Sequence, residues 1–190
     1  MKLGVCVSGQ GTNLRNLVER GFDVVAVATN RPSCGGAAYA RGKNIALAEL
    51  SQRSFESVEQ RDVAMRDFFL SHRVELVIDA GYDRIHAKSF LDAFPGRIIN
   101  VHPSLLPEFS GGLDAIERAL ERGGRRTGAT VHIVTAELDA GPILLQQAVP
   151  ILKGDTVEVL RQRVHEAEYR ILPQAIRLLE ARLADRTSVR

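Results

Sequence analysis

Residues 2–14, KLGVCVSGQGTNL, predict the strand, turn and helix with which the fold begins. Residues 2–7 form an apolar run that predicts a strand, and residues 8–14 then make a glycine-rich turn that feeds a helix. Glycines tighten such a turn without the steric penalty of a Cβ, and amide groups at a helix start can bind an anion. The turn lacks the Gly-Lys-Ser/Thr of a P-loop and the third glycine of the dinucleotide fingerprint. By itself it fits a tight structural turn as well as a phosphate site, but its place after a first strand favours phosphate.

Beyond this stretch, short β-branched runs alternate with helical patterns, which is typical of an α/β fold with parallel strands. Further strands are predicted at residues 23–28, 45–49, 76–80 and 98–101. Helices are predicted at residues 13–20, 33–42, 58–72 and 87–94, and Ser57 is expected to cap the third of them.

The pattern changes after Pro107. One helix is predicted at residues 114–122, followed by strands at 130–134 and 143–149 whose short connection suits an antiparallel pair. A long amphipathic pattern over residues 156–183 closes the chain, and Pro173 is expected to kink or divide it. The prediction is therefore a mostly parallel twisted sheet of about seven strands, Rossmann-like in the N-terminal half, with an antiparallel excursion in the C-terminal half.

Composition indicates an ordinary globular chain. Its 190 residues suit a single domain, and a formal charge of +2 is too small to require nucleic acid. Cys6 and Cys34 are too few for a disulfide framework, and the apolar N-terminal run is too short for a signal peptide or membrane span. A reduced cytoplasmic protein without membrane partners is expected, as a monomer or weak homodimer.

Asn100 and His102 end a short apolar run and precede a proline. Residues two apart on a strand project to one side of the sheet, so the amide and the imidazole would face the same reacting atom. Acyl-type transfer uses such a hydrogen-bond donor beside a group that titrates near neutrality. A polar pair satisfied by the following turn is the alternative. Asp139 lies in a polar loop framed by small residues, where it is either a turn former or a carboxylate presented to a ligand.

Taken together, four segments resemble the phosphoribosylglycinamide formyltransferase family in order and spacing: SGQGTNL at 8–14, NVHPSLLP at 100–107, TGATVH at 127–132 and LDAGP at 138–142. The resemblance covers nearly the whole chain. It implies transfer of formyl from 10-formyltetrahydrofolate to the amine of glycinamide ribonucleotide in purine synthesis, with small-molecule substrates and no metal. It also implies a phosphate-binding half, residues 1–100, and a catalytic and folate-binding half, residues 101–190.

The resemblance assigns roles to individual residues. Asn100 and His102 would stabilise and protonate the formyl oxygen, and Asp139 would take the amine proton. The substrate phosphate would bind at Gly11, Thr12 and Asn13, and the ribose hydroxyls at Glu168. The alternative interpretation of Glu168 is a solvent-exposed charge on the surface of a helix. The folate pocket would include Arg84, Ile85, Leu138 and Asp139, whereas Tyr82 is expected to pack in the core.

Some positions depart from the family pattern. Asp79 and Asp83 place carboxylates where apolar residues are usual, and the turn at residues 110–112 is one residue longer. Val58 stands where the family commonly has a basic residue, so one expected substrate contact is missing. Arg61, about one helical turn further along, is a candidate to make that contact instead. These departures keep two alternatives open: a formyltransferase for another amine, such as a nucleotide-linked amino sugar, or a catalytically altered folate- or nucleotide-binding homologue. The longer tRNA formyltransferases and formyltetrahydrofolate hydrolases carry a further domain for which 190 residues leave no room.

The remaining histidines are weaker candidates. His132 lies in a family motif and is either a support for the site or a satisfied strand histidine. His72, His86 and His165 are expected at surface or interface positions, and Cys6 is expected to be a buried small hydrophobe.

Overall fold

The computed structural model describes the backbone of residues 1–187. Its seven strands form one sheet in the order β3-β2-β1-β4-β5-β6-β7. The strands are β1 Leu3–Val7, β2 Val24–Thr29, β3 Ala46–Glu49, β4 Leu76–Asp79, β5 Ile98–His102, β6 Arg126–Ile133 and β7 Ile143–Pro150. The helices are α1 Thr12–Glu19, α2 Gly35–Gly42, α3 Val58–Ser71, α4 Lys88–Ala93, α5 Ala115–Glu121 and α6 Val157–Thr187, with a 3₁₀ turn at Gln52–Ser54.

The sheet confirms the predicted fold class. Strands β1 to β5 pair in parallel, and β6 pairs with β7 in antiparallel fashion. Within the described residues, no helix is both long and apolar enough to cross a membrane.

The chain divides into two compact units. The first contains residues 1–100 together with 133–141, and the second contains residues 101–132 and 142–190.

In the first unit, β1 is buried along its whole length, as expected for a central parallel strand covered on both faces. Cys6 is fully buried, as predicted, in a core that includes the rings of Phe69, Phe90 and Phe94. Gly4 is required here because a Cβ at this position would lie 2.9 Å from Val74 Cγ1. Tight packing of this strand fixes where the turn at residues 8–13 leaves the sheet.

In the second unit, β6 begins four residues before its predicted start, because Arg126 pairs with Pro150 at the end of β7. Gly128 weakens the local strand signal in the sequence. It is nevertheless required inside the strand, since a Cβ would clash with the Gln147 carbonyl of the neighbouring strand.

Helix α6 runs through Pro173 without interruption, so, of the predicted kink or division at this proline, the division is wrong. Loss of one backbone hydrogen bond is offset by burial of an apolar stripe on both sides of the proline. That stripe recurs at three- and four-residue spacing and comprises Leu160, Val164, Ala167, Ile171, Ala175 and Leu179.

Candidate active site

The turn after β1 has the geometry of an anion site. Gly11 precedes α1 with φ of +72°, and a Cβ there would clash with the Cα of Gly36. The first helix has no side-chain cap and no acidic residue in its first turn. Its N-terminal end therefore keeps the partial positive charge that favours an anion. Thr12 is half-buried and Asn13 is buried at this helix start.

Asp83 ties this turn to the ends of two other strands. Asn30 Nδ2 donates to Asp83 Oδ1 at 2.7 Å, and Ser8 Oγ donates to Asn30 Oδ1 at 2.6 Å and accepts from Asp83 N at 3.0 Å. Arg31 pairs with the other carboxylate oxygen, and Arg84 Nε lies 3.5 Å from Oδ1. The sequence raised Asp83 only as a departure that could disturb folate binding. In the structure its carboxylate is engaged by the protein.

The segment after β4 presents two predicted folate-binding residues at the surface. Arg84 is exposed, and Ile85 is 65% exposed, which is unusual for a large apolar side chain. Arg61 Nη2 donates to the Ile85 carbonyl at 3.2 Å and its Nε donates to Asp62 Oδ1 at 2.7 Å. Because Arg61 is 1% exposed, its expected role as a substitute substrate contact is wrong. It supports the backbone of this segment instead.

His86 is buried, which contradicts the predicted surface position. Its Nε2 lies 2.9 and 3.0 Å from the two carboxylate oxygens of Asp79. Burial acts to lower the pKa of His86, but the charge and hydrogen bond of Asp79 outweigh it and raise the pKa overall. Burial also raises the pKa of Tyr82 and, together with Asp79, that of the Cys6 thiol. Tyr82 stacks on His86 and packs against the core, as predicted.

Asn100 and His102 both lie on β5. Asn100 is half-buried, and His102 is 4% exposed with Nε2 3.2 Å from the Phe109 carbonyl oxygen. A carbonyl oxygen only accepts, so Nε2 carries a proton when this bond forms. The imidazole is thus held in a form that can donate from Nε2.

Thr130 fixes the chain that follows His102. Its hydroxyl donates to the Ser104 carbonyl at 2.6 Å and accepts from Leu106 N at 3.1 Å. Gln146 Nε2 donates to Thr130 Oγ1 and to the Leu106 carbonyl, both at 2.9 Å. Sequence reasoning missed this support, although Thr130 lies inside one of the quoted motifs.

The longer turn at residues 110–112 is held by one arginine. Arg118 Nη2 donates to the carbonyl oxygens of Phe109 at 2.9 Å and Gly111 at 3.1 Å. Phe109 itself has φ of +56°, which is costly for a bulky residue. Arg118 thereby stabilises the same carbonyl that accepts from His102.

Asp139 lies in the segment of residues 133–141, which belongs to the first unit. It is half-buried with φ of +54°, and Leu138 beside it is 56% exposed. Val134 N donates to the Ile98 carbonyl at 2.8 Å and so attaches this segment to β5. The segment ends at Gly141, where only glycine fits because a Cβ would clash with the Ile133 carbonyl.

Glu168 is 3% exposed and accepts from His165 Nδ1 at 2.9 Å. The alternative of a solvated helix charge is therefore wrong. The hydrogen bond to Glu168 raises the pKa of the half-buried His165. His132 is also buried, at 2% exposure, and lies beside a register shift of β6.

Comparison with known proteins agrees with the motifs. The formyl transferase family model matches residues 1–176. Phosphoribosylglycinamide formyltransferase of Haemophilus influenzae is 36% identical over 182 residues, which cover 93% of this chain and 85% of that protein. The trifunctional purine biosynthetic protein adenosine-3 of Chironomus tentans is 36% identical over 186 residues, and this match covers 94% of the chain but 14% of that longer protein.

A solved structure gives the same result. Glycinamide ribonucleotide transformylase 1 of Symbiobacterium toebii superimposes with a TM-score of 0.90 at 43% identity, covering 94% of this chain and 87% of that chain. The resemblance inferred from the motifs is confirmed: this chain belongs to the formyl transferase family.

Proposed function

We propose that this chain transfers the formyl group of 10-formyltetrahydrofolate to the amine of glycinamide ribonucleotide. The pair on β5 supports this reaction most strongly, because Asn100 offers an amide and His102 holds a proton on Nε2 when it bonds to the Phe109 carbonyl. These are the two donors that an oxyanion formed from a formyl carbonyl requires. The names and structures of the relatives support the same reaction.

In the proposed reaction, the amine nitrogen attacks the formyl carbon and the carbonyl π electrons move to oxygen. Asn100 and His102 donate hydrogen bonds to that oxyanion, and His102 can transfer its proton to it. Asp139 accepts the proton that the attacking amine loses. When the intermediate collapses, the bond from carbon to the folate nitrogen breaks and a proton goes to that leaving nitrogen. Because protein groups polarise the carbonyl, we expect this step to need no metal.

The substrate phosphate is proposed to bind at Gly11, Thr12 and Asn13. The uncapped start of α1 supports this assignment, because it supplies backbone donors and a favourable dipole. Glu168 is proposed to bind the ribose hydroxyls. Its burial and its bond to His165 support a carboxylate held in a fixed orientation.

The folate is proposed to contact Arg84, Ile85, Leu138 and Asp139. Exposure of the apolar Ile85 and Leu138 supports contact with a flat ring system. We further propose that the protein acts in the cytoplasm, where its free cysteines stay reduced, as a monomer or weak homodimer without nucleic-acid or membrane partners.

A panel of amines tests the acceptor. Purified protein and 10-formyltetrahydrofolate are mixed with glycinamide ribonucleotide, glycinamide, or a nucleotide-linked amino sugar, and folate release is followed by absorbance. Turnover is expected with glycinamide ribonucleotide and is expected to be far slower with glycinamide, which lacks the phosphate. If only the nucleotide-linked amino sugar is formylated, that sugar and not glycinamide ribonucleotide is the acceptor. If no amine is formylated, the protein is a homologue that binds folate or nucleotide without catalysing the transfer.

A further inference from the structure

A buried cluster in the first unit has the composition of a metal site. Cys6 is 0% exposed, Asp79 5% and His86 7%. Cys6 and Asp79 are register partners on the adjacent parallel strands β1 and β4, and His86 follows β4 and turns back to Asp79. One ligand atom from each residue lies within 4.8 Å of the other two. Thiolate, imidazole and carboxylate are the ligand types that bind zinc in proteins.

The surroundings of His86 orient it as a metal ligand. Its ring stacks between Tyr82 and Phe90, with centroid distances of 5.3 and 4.4 Å. Nε2 faces Asp79, whereas Nδ1 lies 3.9 Å from Asp62 Oδ2 and has no hydrogen-bond partner among the described residues. Histidines that bind a metal through one ring nitrogen usually direct the other to a carboxylate, a backbone carbonyl or water, and Asp62 is the nearby carboxylate here.

Asp62 is itself held in place. Arg61 Nε donates to Asp62 Oδ1 at 2.7 Å, and Ala87 N donates to Oδ2 at 2.5 Å. Met65 Sδ lies 3.7 Å from Cys6 Sγ and adds a second sulfur beside the thiol. The cluster thus has three protein ligands, an oriented outer carboxylate and a soft neighbouring atom.

The buried charges can accommodate a divalent cation. Asp62 and Asp79 are both buried, and Arg61 pairs with Asp62. With a Cys6 thiolate and a neutral His86, a divalent ion and the guanidinium carry three positive charges, which match the three negative charges of the thiolate and both carboxylates. Buried charges are stable only when paired in this way.

We propose that Cys6, Asp79 and His86 bind a thiolate-preferring divalent ion of the zinc type. The ion replaces the direct contact between His86 Nε2 and the Asp79 carboxylate. It joins β1 and β4 to the segment that carries Arg84 and Ile85. All three ligands are buried and none of them is among the proposed reacting groups, so we expect the ion to stabilise the fold and to take no part in formyl transfer. This inference does not depend on the proposed function.

Cobalt is the probe, because Co²⁺ bound to a thiolate absorbs strongly in the near ultraviolet and shows visible bands when tetrahedral. Chelator-treated wild-type protein is titrated with Co²⁺ and then with Zn²⁺. We expect one Co²⁺ per chain, a thiolate band that Zn²⁺ removes by displacement, and a higher melting temperature with either ion.

Matched variants locate the ligands. Cys6→Ser and His86→Gln are expected to abolish the thiolate band, whereas Cys34→Ser and His72→Gln retain it; serine is also a good N-cap for α2 at position 34. Asp79→Asn, which keeps the side-chain shape, is expected to weaken Co²⁺ binding at least tenfold. Absence of the band in folded wild-type protein overturns the proposal whatever the variants do. A band that is lost in Cys34→Ser but kept in Cys6→Ser also overturns it.

Discussion

Two regions of the molecule, one in each unit, are fixed by different kinds of contact. In the first unit, the turn at residues 8–13 is tied to neighbouring strand ends by the carboxylate of Asp83, which collects bonds from other side chains. In the second unit, the chain from Ser104 to Leu106 is fixed by Thr130 and Gln146, neutral side chains that bond to backbone groups. The comparison teaches that the first region depends on charge, whereas the second depends on shape and neutral hydrogen bonds.

The largest expected effect concerns the reacting groups themselves. His102→Ala and Asp139→Asn should each lower turnover at least about a hundredfold, the usual size for a general acid or base. Steady-state kinetics with saturating substrates measures this loss, and His72→Ala is the control because His72 lies outside the proposed site. A wild-type rate in either variant would show that the residue has another role.

Asp83→Asn removes the charge on which the turn at residues 8–13 depends. Its amide can keep one contact with Ser8 or Asn30 but loses the ionic contact with Arg31, so the phosphate turn should be held less firmly. We expect KM for the phosphate-bearing acceptor to rise about fivefold, with kcat little changed, which corresponds to about 1 kcal/mol.

The control for this variant is Asp92→Asn, whose exposed pair with Lys88 should contribute almost nothing. If kcat falls and KM does not, Asp83 acts on the chemistry rather than on the turn. If Asp83→Asn and Asp92→Asn have the same KM, the turn at residues 8–13 does not depend on the charge of Asp83, and the contrast between the two regions is contradicted.

Thr130→Val removes the hydroxyl that holds the chain from Ser104 to Leu106. The methyl group keeps the volume but leaves Leu106 N without its buried acceptor, which should lower the free energy of unfolding by about 2 kcal/mol. Thr127→Val on the same strand is a matched control, because Thr127 Oγ1 is buried with no hydrogen-bond partner among the described residues. Urea unfolding should show the control to be neutral or stabilised, and equal losses would argue against the hydroxyl network.

The smallest expected effect is on acid stability. Hydrogen bonds from Arg163 and from Leu152 N lower the pKa of Asp155 from 3.8 to about 2. Since this pKa is depressed in the folded state, the stabilisation is present above about pH 4 and is lost as the pH falls to 2. Asp155→Asn should be less stable than wild type at pH 6, and the two should converge near pH 2 in unfolding curves. If the two proteins differ in free energy of unfolding by the same amount from pH 6 to pH 2, the effect of the substitution comes from packing and not from the charge of Asp155.

The sequence was sufficient to predict the fold class because its signals are local. Apolar runs and the turn at residues 8–13 define successive strands and helices without knowledge of distant contacts. The predicted division at Pro173 fails because the apolar stripe buried on both sides of the proline stabilises α6, and helix propensity alone does not include this burial.

Asn100 and His102 could be proposed as a pair because they lie in one compact motif. The contacts that hold the neighbouring segments in place could not be predicted, because they join residues far apart in sequence. Ser8 and Asp83 are 75 residues apart, and only the parallel pairing of β1 with β4 brings them together. The surface position predicted for His86 fails for another reason: its partner Asp79 is only seven residues away, but the sequence pattern indicates Asp79 only as a departure near the folate pocket.

We propose that formyl passes to the amine of glycinamide ribonucleotide with Asn100, His102 and Asp139 as the reacting groups. Transfer can be followed with 10-formyltetrahydrofolate that carries a ¹³C-labelled formyl group and with mass spectrometry of the acceptor. We expect labelled formylglycinamide ribonucleotide in an amount equal to the tetrahydrofolate released, and almost none with His102→Ala. Release of the label as formate, with the acceptor unchanged, would contradict this proposal.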